Sequence, residues 1–173
     1  PKDRTRLYLA WLKENLGSIE HSGVFTPESL IKQVNSYIAL KDIIKEGNYD
    51  FVSLKCQTEL SDSYVIQCLG TALLNDCFDA EGPKDPVPCA CEADNDGALT
   101  MQILSLIAGR VPASLMDIRL MRPESKKIVF SNCGEMPLSF AGASKTCYGC
   151  MKGVHMMENR FGKAGGGTVQ FVC

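Results

Sequence analysis

The segment "PVPCACEADNDGALTMQILSLIAGR" (residues 86–110) decides the fold class, because a predicted strand, an acidic turn and a predicted helix follow one another in it. Residues 87–91 have the short apolar run of a buried strand, and residues 97–108 have the apolar spacing of a helix. Three acids stand within five positions between them: Glu92, Asp94 and Asp96. A single carboxylate is enough to cap a helix, and three repel one another. The turn is therefore either solvated or a site that a cation or a proton holds together.

The pattern repeats on both sides of this segment. A strand at residues 51–55 and a helix at about residues 63–74 precede it, and "SLMDIRLM" (residues 114–121) predicts a third strand after it. Strands that alternate with helices at this spacing predict an α/β fold with right-handed crossovers and a parallel sheet. We expect the two helices to direct the following residues inward: Val65, Leu69, Ala72 and Leu73 in the first, and Leu99, Ile103, Leu106 and Ile107 in the second.

The first 50 residues predict two further helices. Residues 6–16 are amphipathic, with Leu9, Leu12 and Leu16 on one side. In "TPES", Thr26 is the predicted N-cap of the next helix and Pro27 its first residue, and Gly47 is its predicted end.

The pattern of the sequence changes after Met121. A turn, "RPESKK", leads to a strand, "IVFSNCG", and then to a glycine-rich remainder without helical periodicity. We therefore predict an α/β domain over residues 1–122 and the beginning of a β-rich domain over residues 123–173. The chain begins without methionine and stops inside the β-like run "GGGTVQFVC", so we expect it to be a piece of a longer protein.

Composition narrows the class of protein. With 173 residues, 45% of them hydrophobic and 22% charged, the chain has the composition of a globular domain. A net charge of −2 without a basic run gives no reason to expect nucleic acid as a partner. No apolar stretch is long enough to span a bilayer, so we expect no membrane association. Because no secretory signal opens the chain, we expect a cytoplasmic protein.

The nine cysteines are interpreted as reduced thiols, since several of them lie inside apolar runs. "CYGC" (residues 147–150) has zinc-like spacing, and Cys89 and Cys91 occupy alternate strand positions. A structural zinc site is the less favoured alternative, because a closed site requires a second matching pair.

Carboxylates follow two of the predicted strands. Glu59 comes just after the strand at residues 51–55, and Glu92 and Asp94 come just after the strand at residues 87–91. The carboxyl ends of parallel strands share one edge, which is where open α/β sheets bind ligands. Converging carboxylates bind a divalent cation or share a proton as an acid/base pair, and Lys55 is the only basic residue in either loop.

Helix capping is the alternative role for the acids of the turn. Either Asp94 or Asp96 could cap the helix that begins near Gly97. We expect Asp96 to be the cap, because it immediately precedes Gly97 and the apolar period.

Three stretches in order, "DFVSLKCQTEL", "CACEADNDGALTMQILSLIAGRVPASLMDIRLM" and "IVFSNCGEMPLSFA", resemble the L-fucose isomerase and L-arabinose isomerase superfamily. The resemblance covers residues 49–141. It implies a metal-dependent aldose–ketose isomerase, usually with manganese, that acts on a pentose or deoxyhexose through an enediol. It also implies that the full-length protein is a homo-oligomer.

The resemblance assigns roles to particular residues. Glu59 matches the family's first metal-binding carboxylate, and the second is Asp94 in the fucose-type pattern or Glu92 in the arabinose-type pattern. Glu59 and Asp94 would also share in the proton transfer. The family's metal-binding histidine lies beyond this chain, and neither His21 nor His155 stands in a matching motif. We therefore expect the chain by itself to be inactive.

A non-catalytic sugar- or phosphate-binding α/β module is the alternative function. Such a module would use the same sheet edge and would be marked by a glycine-rich phosphate loop after a strand. "GKAGGG" (residues 162–167) is glycine-rich, but no strand-to-helix pattern surrounds it.

Overall fold

The computed structural model describes residues 2–132, 134–142, 149–159 and 162–171, which form a mixed α/β fold. The α-helices are α1 (Lys2–Asn15), α2 (Pro27–Gly47), the single turn α3 (Ser61–Ser63), α4 (Cys68–Asn75) and α5 (Asn95–Ile107). The strands are β1 (Ser18–Ile19), β2 (Val52–Leu54), β3 (Phe78–Asp79), β4 (Gly82–Pro83), β5 (Cys89–Cys91), β6 (Asp117–Arg122), β7 (Lys127–Ser131), β8 (Val154–Glu158) and β9 (Gly167–Phe171). An irregular turn, Cys56–Leu60, follows β2, and Gln57 within it has extended backbone geometry.

The predicted parallel pairing is present between β2 and β5. Val52, Ser53 and Leu54 pair in register with Cys89, Ala90 and Cys91, and α3 and α4 lie in the crossover between the two strands. The helix predicted at residues 63–74 begins later, at Cys68, because residues 64–67 leave helical geometry after the turn α3. Its predicted inward residues, Val65, Leu69, Ala72 and Leu73, are nevertheless all fully buried.

A second, mixed sheet joins the two ends of the described chain. β8 pairs parallel to β1 and antiparallel to β9, in the order β1-β8-β9. The predicted domain boundary at residue 123 falls in the turn between β6 and β7, and these contacts cross it. The division into two domains remains a prediction.

The main core lies between α1, α2 and α4. Tyr8 and Tyr37 are fully buried in it, with their rings edge-to-face at a centroid distance of 5.4 Å. The predicted cap of α2 is confirmed, because the Thr26 hydroxyl accepts a hydrogen bond from the backbone amide of Ser29 at 3.2 Å. Helix α2 ends at Gly47 as predicted, and Asn48 adopts left-handed geometry there.

The charged side chain of Asp79 is buried beside this core. The Asp79 carboxylate, 1% exposed, accepts hydrogen bonds from the Tyr37 hydroxyl at 2.6 Å and from Lys41 Nζ at 2.5 Å. Burial alone would raise the pKa of Asp79, but these bonds lower it below its ordinary value. The network ties α2 to the β3–β4 hairpin.

The predicted third parallel strand is wrong. β6 instead forms an antiparallel hairpin with β7, and all of β6 is exposed. The turn at Pro123–Ser125, which ends with Lys126 in left-handed geometry, reverses the chain locally. A local turn closes a short loop at less entropic cost than a crossover to a distant strand.

The predicted inward face of α5 is also wrong. Leu99, Ile103, Leu106 and Ile107 are 45–79% exposed. The helix buries the stripe Ala98, Met101 and Ser105 instead, with Ala98 and Met101 packed against Ala90 of β5. Both stripes have helical spacing, so periodicity by itself does not show which one meets the sheet. Within the described residues, no helix is both long and apolar enough to cross a membrane.

Candidate functional site

The ends of β2 and β5 form the base of the candidate site. Leu54 and Cys91 are register partners, and the Leu54 carbonyl accepts a hydrogen bond from the Ala93 amide at 3.0 Å. The segments that follow the two strands, residues 55–60 and 92–94, therefore start from the same sheet edge. This confirms the position predicted for the two acidic loops.

The turn after β5 has an unusual backbone. Glu92 and Ala93 have φ values of 59° and 60°, left-handed geometry that residues with a Cβ adopt at a cost of about 1–2 kcal/mol each. The turn is closed by the Asp94 amide, which donates to the Cys91 carbonyl at 3.2 Å. Strain of this kind is concentrated at functional sites.

The helix cap is Asp94 and not Asp96, which corrects the prediction from sequence. Asp94 Oδ1 accepts a hydrogen bond from the Gly97 amide at 2.8 Å, and α5 begins at Asn95. Glu92 and Ala93 form the left-handed turn. The helix can therefore begin at Asn95, two residues before the start near Gly97 that the apolar spacing predicts. Asp96 lies in the first turn of α5.

A cavity of about 150 Å³ lies beyond the end of β5. Its lining combines the acidic turn with the β6–β7 hairpin and the loop after it: Cys91, Glu92, Asp94, Leu115, Asp117, Arg119, Asn132 and Glu135. Arg119 is held in place by an ion pair with Asp117 at 3.3 Å and by donating a hydrogen bond to the Ser131 hydroxyl at 3.0 Å. Glu135 is only 3% exposed. The site therefore offers several carboxylates together with one guanidinium and one amide.

Glu59 forms an ion pair with Lys55 and does not line this cavity. Glu59 Oε1 lies 2.8 Å from Lys55 Nζ, and both side chains are more than half exposed. The hydrogen bond from Lys55 lowers the pKa of Glu59 below its ordinary value. Lys55 thus neutralises part of the charge of the acidic loops.

The cysteines whose side chains the structure describes are all buried: Cys56, Cys68, Cys77, Cys89 and Cys91. Cys89 belongs to the main core and Cys91 to a smaller cluster with Cys56 and Cys68. "CYGC" cannot be compared with its predicted zinc-like role, because Cys147 and the side chain of Cys150 lie outside the described residues.

The two histidines lie elsewhere in the fold. The His21 ring packs on Phe25, and His155 Nδ1 is 2.7 Å from the Ser18 hydroxyl. Neither residue lines the cavity beyond β5. Among the described residues, no three His, Cys, Asp or Glu side chains are arranged so that they could hold a metal ion.

Sequence reasoning missed Asp117, Arg119, Asn132 and Glu135. Asn132 and Glu135 stand in "IVFSNCGEMPLSFA", which supported the resemblance but received no role. The sequence predicts a parallel strand for Asp117 and Arg119, and only the hairpin brings them to the cavity. The polar residues Asn132 and Glu135, close after the predicted strand "IVFS", were the available signal.

Two comparisons with known proteins bear on the identity of this chain. No family model matches the sequence. No curated protein matches it either.

Proposed function

We propose that this chain carries the carboxylate part of the active site of a metal-dependent aldose–ketose isomerase. The observation that carries the proposal is the cavity beyond β5, where Glu92 and Asp94 meet Arg119 and Asn132 at the edge shared with β2. This edge is the usual ligand position of an α/β sheet. The resemblance of residues 49–141 to sugar isomerases supports the same chemistry.

The two carboxylates of the acidic turn are of the ligand type that suits a hard divalent cation such as Mn²⁺, although no group of three His, Cys, Asp or Glu among the described residues is arranged to hold one. Glu92 and Asp94 offer carboxylate oxygens in one cavity, and Mn²⁺ is suited by carboxylate and water ligands. Glu59 would become a further ligand if its carboxylate left the ion pair with Lys55 and bound the metal ion instead. When bound, the cation would act as a Lewis acid that stabilises negative charge on the sugar oxygens.

The residues of this chain would position the sugar and move its proton. A carboxylate of the acidic turn would take the proton from C2 of the aldose and return it to C1, while the hydroxyl proton on O2 passes to O1, so that the aldose becomes the ketose through an enediol. Arg119 and Asn132 carry N–H donors suited to sugar hydroxyl groups. The resemblance implies that other domains of the full-length protein contact most of the sugar.

Metal binding is the first test. Mn²⁺ titration followed by electron paramagnetic resonance should show binding to this chain that Glu92→Gln and Asp94→Asn each weaken by at least about tenfold. Glu124→Gln is the matched control, since Glu124 is exposed in the hairpin turn and is absent from the cavity lining. Mn²⁺ binding that is insensitive to both site variants would contradict the proposal.

Activity is the second test, and it requires the full-length protein. Proton exchange at C2 of L-fucose and L-arabinose in deuterated water should depend on Mn²⁺ and should fall at least about 10²-fold in Glu59→Gln. Sugar binding without any exchange would favour the non-catalytic binding module.

A further inference from the structure

The β6–β7 hairpin is the least covered part of the described structure. Within the described residues its two strands pair only with each other. Six large apolar side chains on it are 41–65% exposed: Ile118, Leu120, Met121, Ile128, Val129 and Phe130. A two-stranded hairpin is marginally stable by itself in water and gains stability from further strands. The hairpin therefore has the properties of a surface that another strand extends.

The two edges of the hairpin differ in regularity. β6 contains a register shift between Ile118 and Leu120, so Arg119 has no cross-strand partner in the ladder. Such a bulge disrupts the ladder and twists an edge away from further pairing. β7 pairs residue by residue from Lys127 to Ser131 without a shift. The β7 edge is therefore the one suited to strand addition.

We propose that the β7 edge binds the β7 edge of a second copy of this chain, antiparallel about a two-fold axis at Val129. This register sets Val129 opposite Val129 of the second copy and Ile128 opposite Phe130, a favourable aromatic and β-branched pair. Lys127 meets Ser131 and not another lysine. A parallel pairing in register would place Lys127 beside Lys127, which is unfavourable. The sequence of β7 thus complements itself in one orientation.

The apolar faces of the two hairpins would merge in this arrangement. Phe130 lies opposite Ile118, and Ile128 lies opposite Met121, so these four residues share one face of the hairpin. Pairing through β7 gives four strands, β6-β7-β7-β6, and doubles that face. No charged residue of β7 lies on it, because Lys127 has the parity of Val129 and Ser131.

The proposed interface leaves the candidate site open. Asp117 and Arg119 of β6 line the cavity, whereas no residue of β7 does. The interface is thus independent of the proposed isomerase function, and either proposal can fail without the other.

Sedimentation velocity as a function of protein concentration tests the association. The wild-type chain should form a dimer, and Val129→Lys should weaken it at least about tenfold by setting two lysines opposite each other. Leu120→Lys is the matched control, because Leu120 is the cross-strand neighbour of Val129 and lies on β6, the strand away from the proposed interface. The two side chains are similarly exposed, Leu120 by 44% and Val129 by 41%. It should retain the dimer. Circular dichroism would verify that both variants fold.

Disulfide trapping tests the register. Cα atoms of Val129 in the two copies would be about 4.5–5.5 Å apart, within reach of a disulfide, whereas those of Leu120 would be about 14 Å apart, across three strand spacings. Under mild oxidation Val129→Cys should give a covalent dimer above the wild-type background, and Leu120→Cys should not. A wild-type chain that is monomeric at every concentration, a dimer unaffected by Val129→Lys, or equal trapping of both cysteine variants would overturn the proposal.

Discussion

The carboxylate of Asp94 accepts a hydrogen bond from the backbone amide of Gly97 at 2.8 Å, which fixes one proposed metal ligand at the beginning of α5. The same side chain therefore has a structural role and a proposed chemical role. These roles depend on different properties, since a cap needs an acceptor oxygen and a metal ligand needs charge.

Substitutions at Asp94 should separate the two roles. Asp94→Ala removes the cap and should reduce the free energy of unfolding by about 0.5–2 kcal/mol, whereas Asp94→Asn keeps an acceptor and should cost less. Both should lose Mn²⁺ affinity. Asp96→Ala is the control and should change stability by less than Asp94→Ala. Urea unfolding measures the stability, and a larger loss in Asp96→Ala would contradict the observed cap.

The titration of Glu59 should report its ion pair. Because Lys55 lowers the pKa of Glu59, the carboxylate should stay ionised to lower pH than an ordinary glutamate. The stabilisation from this pair is present above the ordinary glutamate pKa and is lost as pH falls through the lowered value. Lys55→Met should move the midpoint upward in an NMR titration of the side-chain carboxyl carbon. An unchanged midpoint would show that the pair does not persist in solution.

The buried Asp79 should make the core sensitive to acid. Lys41→Met removes an ammonium group that lies 2.5 Å from the Asp79 carboxylate and should cost about 1–3 kcal/mol near neutral pH. The pKa of Asp79 is lowered in the folded state, so its contribution exists above the ordinary aspartate pKa and disappears as pH falls through the lowered value. The difference between wild type and variant should therefore shrink in acid. Chemical denaturation at two pH values, with Lys13→Met as an exposed control, measures this change.

The buried thiols should be protected in the native state. Burial raises the pKa of Cys89 to about 12, so little thiolate is present at neutral pH. A thiol-specific chromogenic reagent should react slowly with the five described cysteines in the folded chain, and all nine should react once the chain is denatured without reductant. Fewer than nine reactive thiols in the denatured chain would indicate a disulfide.

Local sequence was sufficient for much of the fold and for the position of the acidic loops. Thr26 and Pro27 specify where α2 begins, because capping depends only on neighbouring residues. The apolar runs before Lys55 and Glu92 specify β2 and β5, and the helical crossover between them favours parallel pairing. These features place Glu59, Glu92 and Asp94 after two neighbouring strand ends.

Tertiary structure decided which apolar surface is covered and which residues meet at the cavity. Helix α5 has two stripes of helical spacing, and only contact with β5 selects Ala98 and Met101 over Leu99 and Ile103. The run that contains Asp117 and Arg119 fits a parallel strand as well as a hairpin strand, and pairing with β7 brings both residues to the cavity. Hydrophobic burial has no direction of its own, so the partner surface and not the periodicity of a segment decides its orientation.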